Sequence, residues 1–210
     1  NDYTSLVCAL ARAALDGLGT LSPSKIAMVV SSAFALPQRD RTHEKILVAA
    51  SAALRRHAVQ PLQAPPPPQE EEEERGGGQA FLDRSGGSGG RITPKTVAIV
   101  TSTFVRSGYY DVQLFATLGE LLLSFRESEY TIRSLSMILT AYQKTNSLGE
   151  GLGAHLDQVA MSIPEKMWDG QATSDVISAL ARGRIRGGAV ERLVDVSSRL
   201  TKHSMLRQGR

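Results

Sequence analysis

The sequence predicts an all-α chain built as an α-solenoid of about three to four helix-turn-helix repeats, each of about 38 residues. The stretch 93–125 aligns with 131–163 when it is shifted by about 38 residues, and a weaker copy follows after a second shift. The stretch 22–56 is a more distant copy of the same pattern. Because the copies have apolar residues at helical spacing, each repeat is interpreted as two helices.

The first part of the chain predicts three helices. Residues 3–18 place apolar side chains on one helical stripe. The Ser-Pro pair at 22–23 favours a second helix, since Ser is a good N-cap and Pro suits the first helical position. That helix is expected to end before Pro37. A return helix is predicted over 40–56, and 57–63 is expected to lead out of it.

The composition divides the chain into three regions: helical repeats over 1–63, an insertion over 64–91, and further repeats with a basic end over 92–210. The insertion is rich in Pro, Glu and Gly, and it cannot bury enough apolar surface to offset the entropy of ordering. It contains six acidic residues and three arginines. We therefore expect a disordered loop between two repeats.

The region after the insertion predicts three helix pairs. The segment 97–104 contains many β-branched residues, but its aligned copy at 135–142 is typical of a helix, so a helix is predicted at both. Glycines and Pro164 mark the expected helix ends. The predicted pairs are 93–107 with 111–126, 131–144 with 151–163, and 171–182 with 189–202.

The net charge of +3 is unevenly distributed. The last stretch, 182–210, has eight Lys or Arg residues and only two acidic ones, which favours a polyanionic partner, nucleic acid before membrane. On the helix 93–107, Lys95, Ser102 and Arg106 fall opposite the apolar stripe, at 100° per residue. Stacked repeats would align such positions into a ladder of cations and hydroxyls. The predicted RNA-binding residues are Lys95, Ser102, Arg106, Arg133, Thr140, Lys144, Ser178, Arg182, Arg184 and Arg186.

Several function classes find no support in the residues. The single cysteine, Cys8, excludes an internal disulfide framework and a cysteine-based zinc site. The four histidines have no metal-ligand spacing, and no nucleophile or nucleotide-binding motif is recognisable. No apolar run is long enough to cross a membrane. The expectation is a non-catalytic protein with no cofactor, metal, membrane or small-molecule substrate.

The repeat length and the small residues of the first helix in each pair resemble the octotricopeptide and heptatricopeptide repeats of organellar proteins, over 22–56 and 93–202. The Pro-Pro-Pro-Glu-Trp signature of octotricopeptides is absent, since Trp168 stands alone, and so is the RNA-associated domain that often follows heptatricopeptide arrays. The resemblance implies RNA binding in mitochondria or plastids. A short array with a basic end suggests a structural component of a mitochondrial ribosome that contacts rRNA and neighbouring proteins in the matrix, with the plastid as the alternative location.

A second hypothesis is a protein-binding scaffold of another large organellar complex. In that case the apolar residues Met28, Ile99 and Met137, beside the cationic stripe, would form the contact. The two hypotheses differ in their response to salt. RNA held by Lys and Arg should dissociate steeply as salt rises, whereas an apolar protein interface should not.

Overall fold

The computed structural model describes residues 17–34, 41–63, 91–185 and 187–208, and every regular element in these ranges is a helix or a helical turn. The prediction of an all-α chain is therefore confirmed for the described residues. The strand alternative at 97–104 is excluded, because these residues lie within one helix. Outside the described ranges lie nearly all of the predicted helix at 3–18 with Cys8, the insertion apart from Arg91, and the predicted RNA-binding residue Arg186.

The described ranges contain eight α-helices arranged as four consecutive pairs. Three short 3₁₀ turns, Leu18–Thr20, Glu127–Glu129 and Glu165–Met167, precede helix pairs. The helices are α1 (Pro23–Phe34), α2 (Arg41–Gln63), α3 (Pro94–Ser107), α4 (Val112–Leu123), α5 (Ile132–Lys144), α6 (Glu150–Ser162), α7 (Gly170–Arg182) and α8 (Gly188–Gln208).

The helices form two layers. The first helices of the pairs, α1, α3, α5 and α7, pack side by side in chain order and are called the A layer. The second helices, α2, α4, α6 and α8, pack in the same order and are called the B layer. The hydrophobic core lies between the layers, because each helix buries the side that faces the other layer.

The last three A-layer helices begin with the same kind of N-cap, at the interval that the sequence predicts. The side chain of Thr93 accepts a hydrogen bond from the amide of Thr96 at 3.3 Å. Thr131 caps α5 in the same way at 3.1 Å, and Asp169 caps α7 at 2.7 Å. Each cap satisfies an amide that has no partner within the helix. The Thr-Pro start predicted for α3 is therefore confirmed.

The A-layer helices α3, α5 and α7 also end alike. The backbone is left-handed at Gly108, Asn146 and Arg184, with φ of 73°, 53° and 56°. The amide of the residue after each donates back to the helix, to Phe104, Tyr142 and Leu180 at 3.2, 2.9 and 3.1 Å respectively. This is the Schellman arrangement, which satisfies the last carbonyls of a helix.

Aromatic residues join the two layers in the middle of the core. Tyr142 of α5 is buried, its ring meets Phe115 of α4 edge to face, and its hydroxyl donates to the Phe115 carbonyl at 2.9 Å. Ile92, Tyr130 and Trp168 are buried at equivalent positions before α3, α5 and α7. The interlayer packing thus repeats from pair to pair, with a different side chain at each place.

The last pair is fixed against α6 through two glycines. A Cβ on Gly153 would lie 2.1 Å from Cδ1 of Ile185, so Ile185 occupies space that only a glycine leaves open. A Cβ on Gly187 would lie 2.0 Å from an oxygen of Asp157, whose carboxylate accepts a hydrogen bond from the amide of Ala189 at 3.2 Å. Asp157 of α6 therefore caps the first turn of α8.

Several predicted helix ends were wrong. The return helix continues to Gln63 instead of ending at Arg56, since buried Ala58 extends the apolar stripe by one more turn. In contrast, α4 ends at Leu123 instead of Arg126, because the chain turns so that Phe125 is buried. The final helix extends to Gln208, beyond the predicted end at Lys202. Among the helices of these ranges, none combines the length and the apolar character that a membrane crossing needs.

Candidate nucleic-acid interface

Three cations lie at equivalent places in successive A-layer helices. Arg106, Lys144 and Arg182 each occupy the last turn of α3, α5 and α7 and are exposed. We call these three residues the basic row. Neighbouring packed helices have axes about 8–10 Å apart, so the row presents one cation per repeat along a single edge of the A layer.

The position of the basic row has a purely structural alternative. A cation in the last turn complements the negative end of the helix dipole and contributes about 0.3–1 kcal/mol. If this were its only role, the B-layer helices α4 and α6 should show the same preference, but neither has a basic residue in its last turn. Within the described part of the chain, none of the three cations forms an ion pair. Their charges are therefore available to a ligand.

The remaining predicted cations are also accessible where they are described. Lys95 and Arg133 lie in the first turns of α3 and α5, and both are exposed. They point away from the core that Val97 and its equivalent Leu135 enter. The third equivalent position is Gln171, so the cationic character of this end of the A layer stops at α7.

The predicted hydroxyl residues differ among themselves. Ser178 is exposed, whereas Ser102 and Thr140 are only half-exposed. The hydroxyl of Ser102 donates to the carbonyl of Ile99 in its own helix at 3.1 Å. The hydroxyl part of the predicted ladder is therefore less open to a ligand than its cations.

Arg184 extends the basic row around the end of α7 and adopts an unfavourable backbone conformation. Its φ of 56° lies in the left-handed region, where the equivalent residues are Gly108 and Asn146. Glycine and asparagine tolerate this region, whereas other residues adopt it at a cost of about 1–2 kcal/mol. An exposed arginine kept at such a position points to a role for its side chain.

The charge differs sharply between the two layers. The middle B-layer helices α4 and α6 have Glu120, Glu150 and Asp157 and no Lys or Arg. The A-layer helices have six cations and one acidic residue, Asp175. The six A-layer cations are Lys25, Lys95, Arg106, Arg133, Lys144 and Arg182. The end helices α2 and α8 of the B layer have four Lys or Arg residues each, so the contrast is confined to the middle of the stack, where only the A-layer helices have the charge that a polyanion requires.

A groove between the N-terminal halves of α5 and α7 was not predicted from the sequence. It has a volume of about 780 Å³, most of its surface is apolar, and Asp169 and Asp175 lie on one wall. Asp175 accepts hydrogen bonds from Gln171 at 2.9 Å and from Ser136 at 3.4 Å. The alignment of the repeats contained a signal for it, since Asp169 and Asp175 stand where the preceding repeat has Thr131 and Met137.

The three apolar residues of the scaffold hypothesis, Met28, Ile99 and Met137, differ in exposure. Met28 is exposed on α1, whereas Ile99 and Met137 are half-buried against the core. Met137 also lines the groove between α5 and α7. The three residues therefore do not form one evenly exposed apolar row.

Comparisons of the chain with protein-family models, with characterised proteins and with solved structures find no match.

Proposed function

We propose that this chain is a non-catalytic RNA-binding protein whose four helix pairs form a short α-solenoid. The basic row carries the proposal: it places one unpaired cation in each of the last three repeats, on one edge of the A layer, and the middle B-layer helices α4 and α6 have no equivalent. Lys and Arg spaced in this way contact phosphates, which position a strand without reading its sequence. The turn at Arg184 extends the same edge.

The setting of this activity rests on the resemblance to octotricopeptide and heptatricopeptide repeats. It favours a structural protein of a mitochondrial ribosome that contacts rRNA, or the corresponding place in a plastid. Four helix pairs would contact only a few nucleotides if each pair contacted about one. So short a contact suits one subunit of a large ribonucleoprotein better than a free reader of sequence.

The test removes the basic row and measures binding to a short, fluorescently labelled single-stranded RNA. Replacement of Arg106, Lys144 and Arg182 with Gln should weaken binding about tenfold or more. The slope of log Kd against log salt should decrease by about 2, since each lost phosphate contact contributes about 0.7 for single strands. Fluorescence anisotropy over a range of salt concentrations measures both quantities.

The matched control replaces three exposed cations that lie elsewhere, Lys45, Arg56 and Lys166, with Gln. It removes the same net charge and should keep most of the affinity. An equal loss in both variants would show that only net charge matters. No loss in either would discard the basic row and favour the scaffold hypothesis. Circular dichroism should show that both variants are folded, because all six replaced side chains are exposed.

A further inference from the structure

The last two junctions between A-layer helices, α3–α5 and α5–α7, have the same architecture but different side chains. At the α3–α5 junction the cap is Thr131, the next exposed position is Arg133, and the half-buried position is Met137. At the α5–α7 junction the equivalent residues are Asp169, Gln171 and Asp175. The fold does not require this change, because Thr131 caps α5 as Asp169 caps α7. The carboxylates are therefore a property of one junction and not of the repeat.

The groove at the α5–α7 junction combines these carboxylates with apolar surface. Ile132, Met137 and Ile163 line it, and the exposed Met167 stands at its rim. Methionine side chains adapt their shape to a ligand and are frequent at binding surfaces. A groove with a mostly apolar surface and an acidic wall fits a side chain with an aliphatic stem and a cationic head.

Asp175 has acceptor capacity left for such a head group. Gln171 donates to Oδ1 and Ser136 donates to Oδ2, whereas an ionised carboxylate accepts about four hydrogen bonds. The two bonds hold the carboxylate in place beside the groove. Asp169 uses Oδ1 to cap α7, which leaves its other oxygen to the groove.

We propose that the α5–α7 groove binds an arginine side chain from a protein partner, within a segment that has apolar residues on either side of the arginine. Charge complementarity identifies this occupant: Glu127, Asp169 and Asp175 line the groove against the single cation Arg133. The planar guanidinium can donate two parallel hydrogen bonds to a carboxylate, which a lysine cannot do. The same carboxylates repel an RNA strand, so Arg133, which lines the groove, is assigned to the protein partner in this proposal and not to RNA. The A layer would then hold RNA at the C-terminal ends of its helices and a protein at their N-terminal ends.

The test uses a library of displayed random peptides, selected against the full chain. The selected peptides should be enriched in arginine with Leu, Met or Val nearby. A synthetic copy of the strongest binder should lose affinity about tenfold or more when its arginine is replaced with citrulline, which keeps the shape and removes the charge. A pool without enriched arginine would overturn the proposal.

The site is tested by the double replacement Asp169→Asn and Asp175→Asn. Asparagine is as good an N-cap as aspartate, and at position 175 its carbonyl oxygen can accept one of the two bonds while its amide donates to the hydroxyl of Ser136, so the fold should be retained. Peptide affinity should decrease about tenfold or more. The control, Glu120→Gln with Glu150→Gln, removes two exposed negative charges from the B layer and should leave it unchanged.

Two results would overturn the groove as the site: full peptide affinity in the Asp169 and Asp175 variant, or equal losses in this variant and the control. The RNA affinity of both variants should stay within about twofold of the unmodified protein, since neither touches the basic row. Failure of this proposal is therefore distinguishable from failure of RNA binding.

Discussion

The A layer and the B layer have the same number of helices and share one core, but their outer surfaces differ in chemistry. The last three A-layer helices, α3, α5 and α7, have a cation in the last turn, whereas the exposed side of α4 and α6 includes small, apolar and acidic residues such as Ala116, Ala154 and Glu120. Both layers satisfy the same packing requirement. Folding alone does not require different exposed residues on the two layers. We therefore attribute the difference in surface chemistry to different binding partners.

The layers also differ in how neighbouring helices are joined. Within the B layer, the side chains of Ser51 and Arg55 on α2 bond to Asp111 and Gln113 at the start of α4. Asp157 of α6 bonds to the start of α8. Within the A layer, neighbouring helices meet mainly through buried side chains such as Val97, Leu135 and Val176. Side-chain hydrogen bonds therefore join neighbouring B-layer helices at two places, whereas in the A layer such a bond joins α5 to α7, from Ser136 to Asp175.

The largest expected effect breaks the connection between the layers. Tyr142→Ala should lower the free energy of unfolding by about 3–5 kcal/mol, since it removes a fully buried aromatic ring and leaves a cavity against Phe115. Tyr142→Phe keeps the ring and should cost only about 0.5–1.5 kcal/mol, the net value of one hydrogen bond. Urea unfolding measures both. Similar losses in the two variants would mean that the hydroxyl, and not the ring, joins the layers.

A smaller effect is expected at Arg184, where one replacement should change stability and RNA affinity in opposite directions. Arg184→Gly should raise the free energy of unfolding by about 1 kcal/mol, because glycine adopts the left-handed conformation without strain. The same change should weaken RNA binding by about threefold, the share of one phosphate contact. Thermal unfolding and RNA titration of one preparation measure the two changes. A variant that gains stability and keeps its full RNA affinity would remove Arg184 from the interface.

The smallest expected effect concerns the B layer and pH. Burial alone would raise the pKa of the Asp111 carboxyl, but hydrogen bonds from Ser51 and the Leu114 amide, with Arg55 nearby, lower it below its ordinary value of 3.8. The folded state therefore binds this proton less readily than the unfolded state. The stabilisation is fully present above pH 3.8 and is lost as the pH falls through the folded value.

Asp111→Asn keeps the cap and removes this titration. The variant should be less stable than the unmodified protein at neutral pH, and the difference should shrink as the solution is acidified. Urea unfolding at a series of pH values measures it. Glu120→Gln, at an exposed site on the same helix, should show no such convergence. A constant difference at all pH values would mean that the Asp111 charge does not join α2 to α4.

The sequence predicts those parts of the structure that depend on local pattern. The repeat interval, the Thr-Pro start of α3 and the outward direction of Lys95 and Arg106 all follow from helical periodicity and capping preferences. The acidic groove was missed because its walls come from two helices, and Asp169 reads as an ordinary N-cap. The backbone strain at Arg184 was also missed, because an arginine gives no sequence signal for the left-handed conformation that Gly108 adopts at the equivalent turn.

The cap that Asp157 supplies to α8 has a consequence for the order of folding during synthesis. The amide of Ala189 in the first turn of α8 can donate to Asp157 only when α6 has formed. Ile185 likewise packs against Gly153 of α6. The chain leaves the ribosome from its N-terminus, so α6 is complete before α8 emerges. Each finished pair can thus serve as a template for the next, and growth of the stack follows the direction of translation. A chain permuted to begin within α8 would have to form this helix before its template exists.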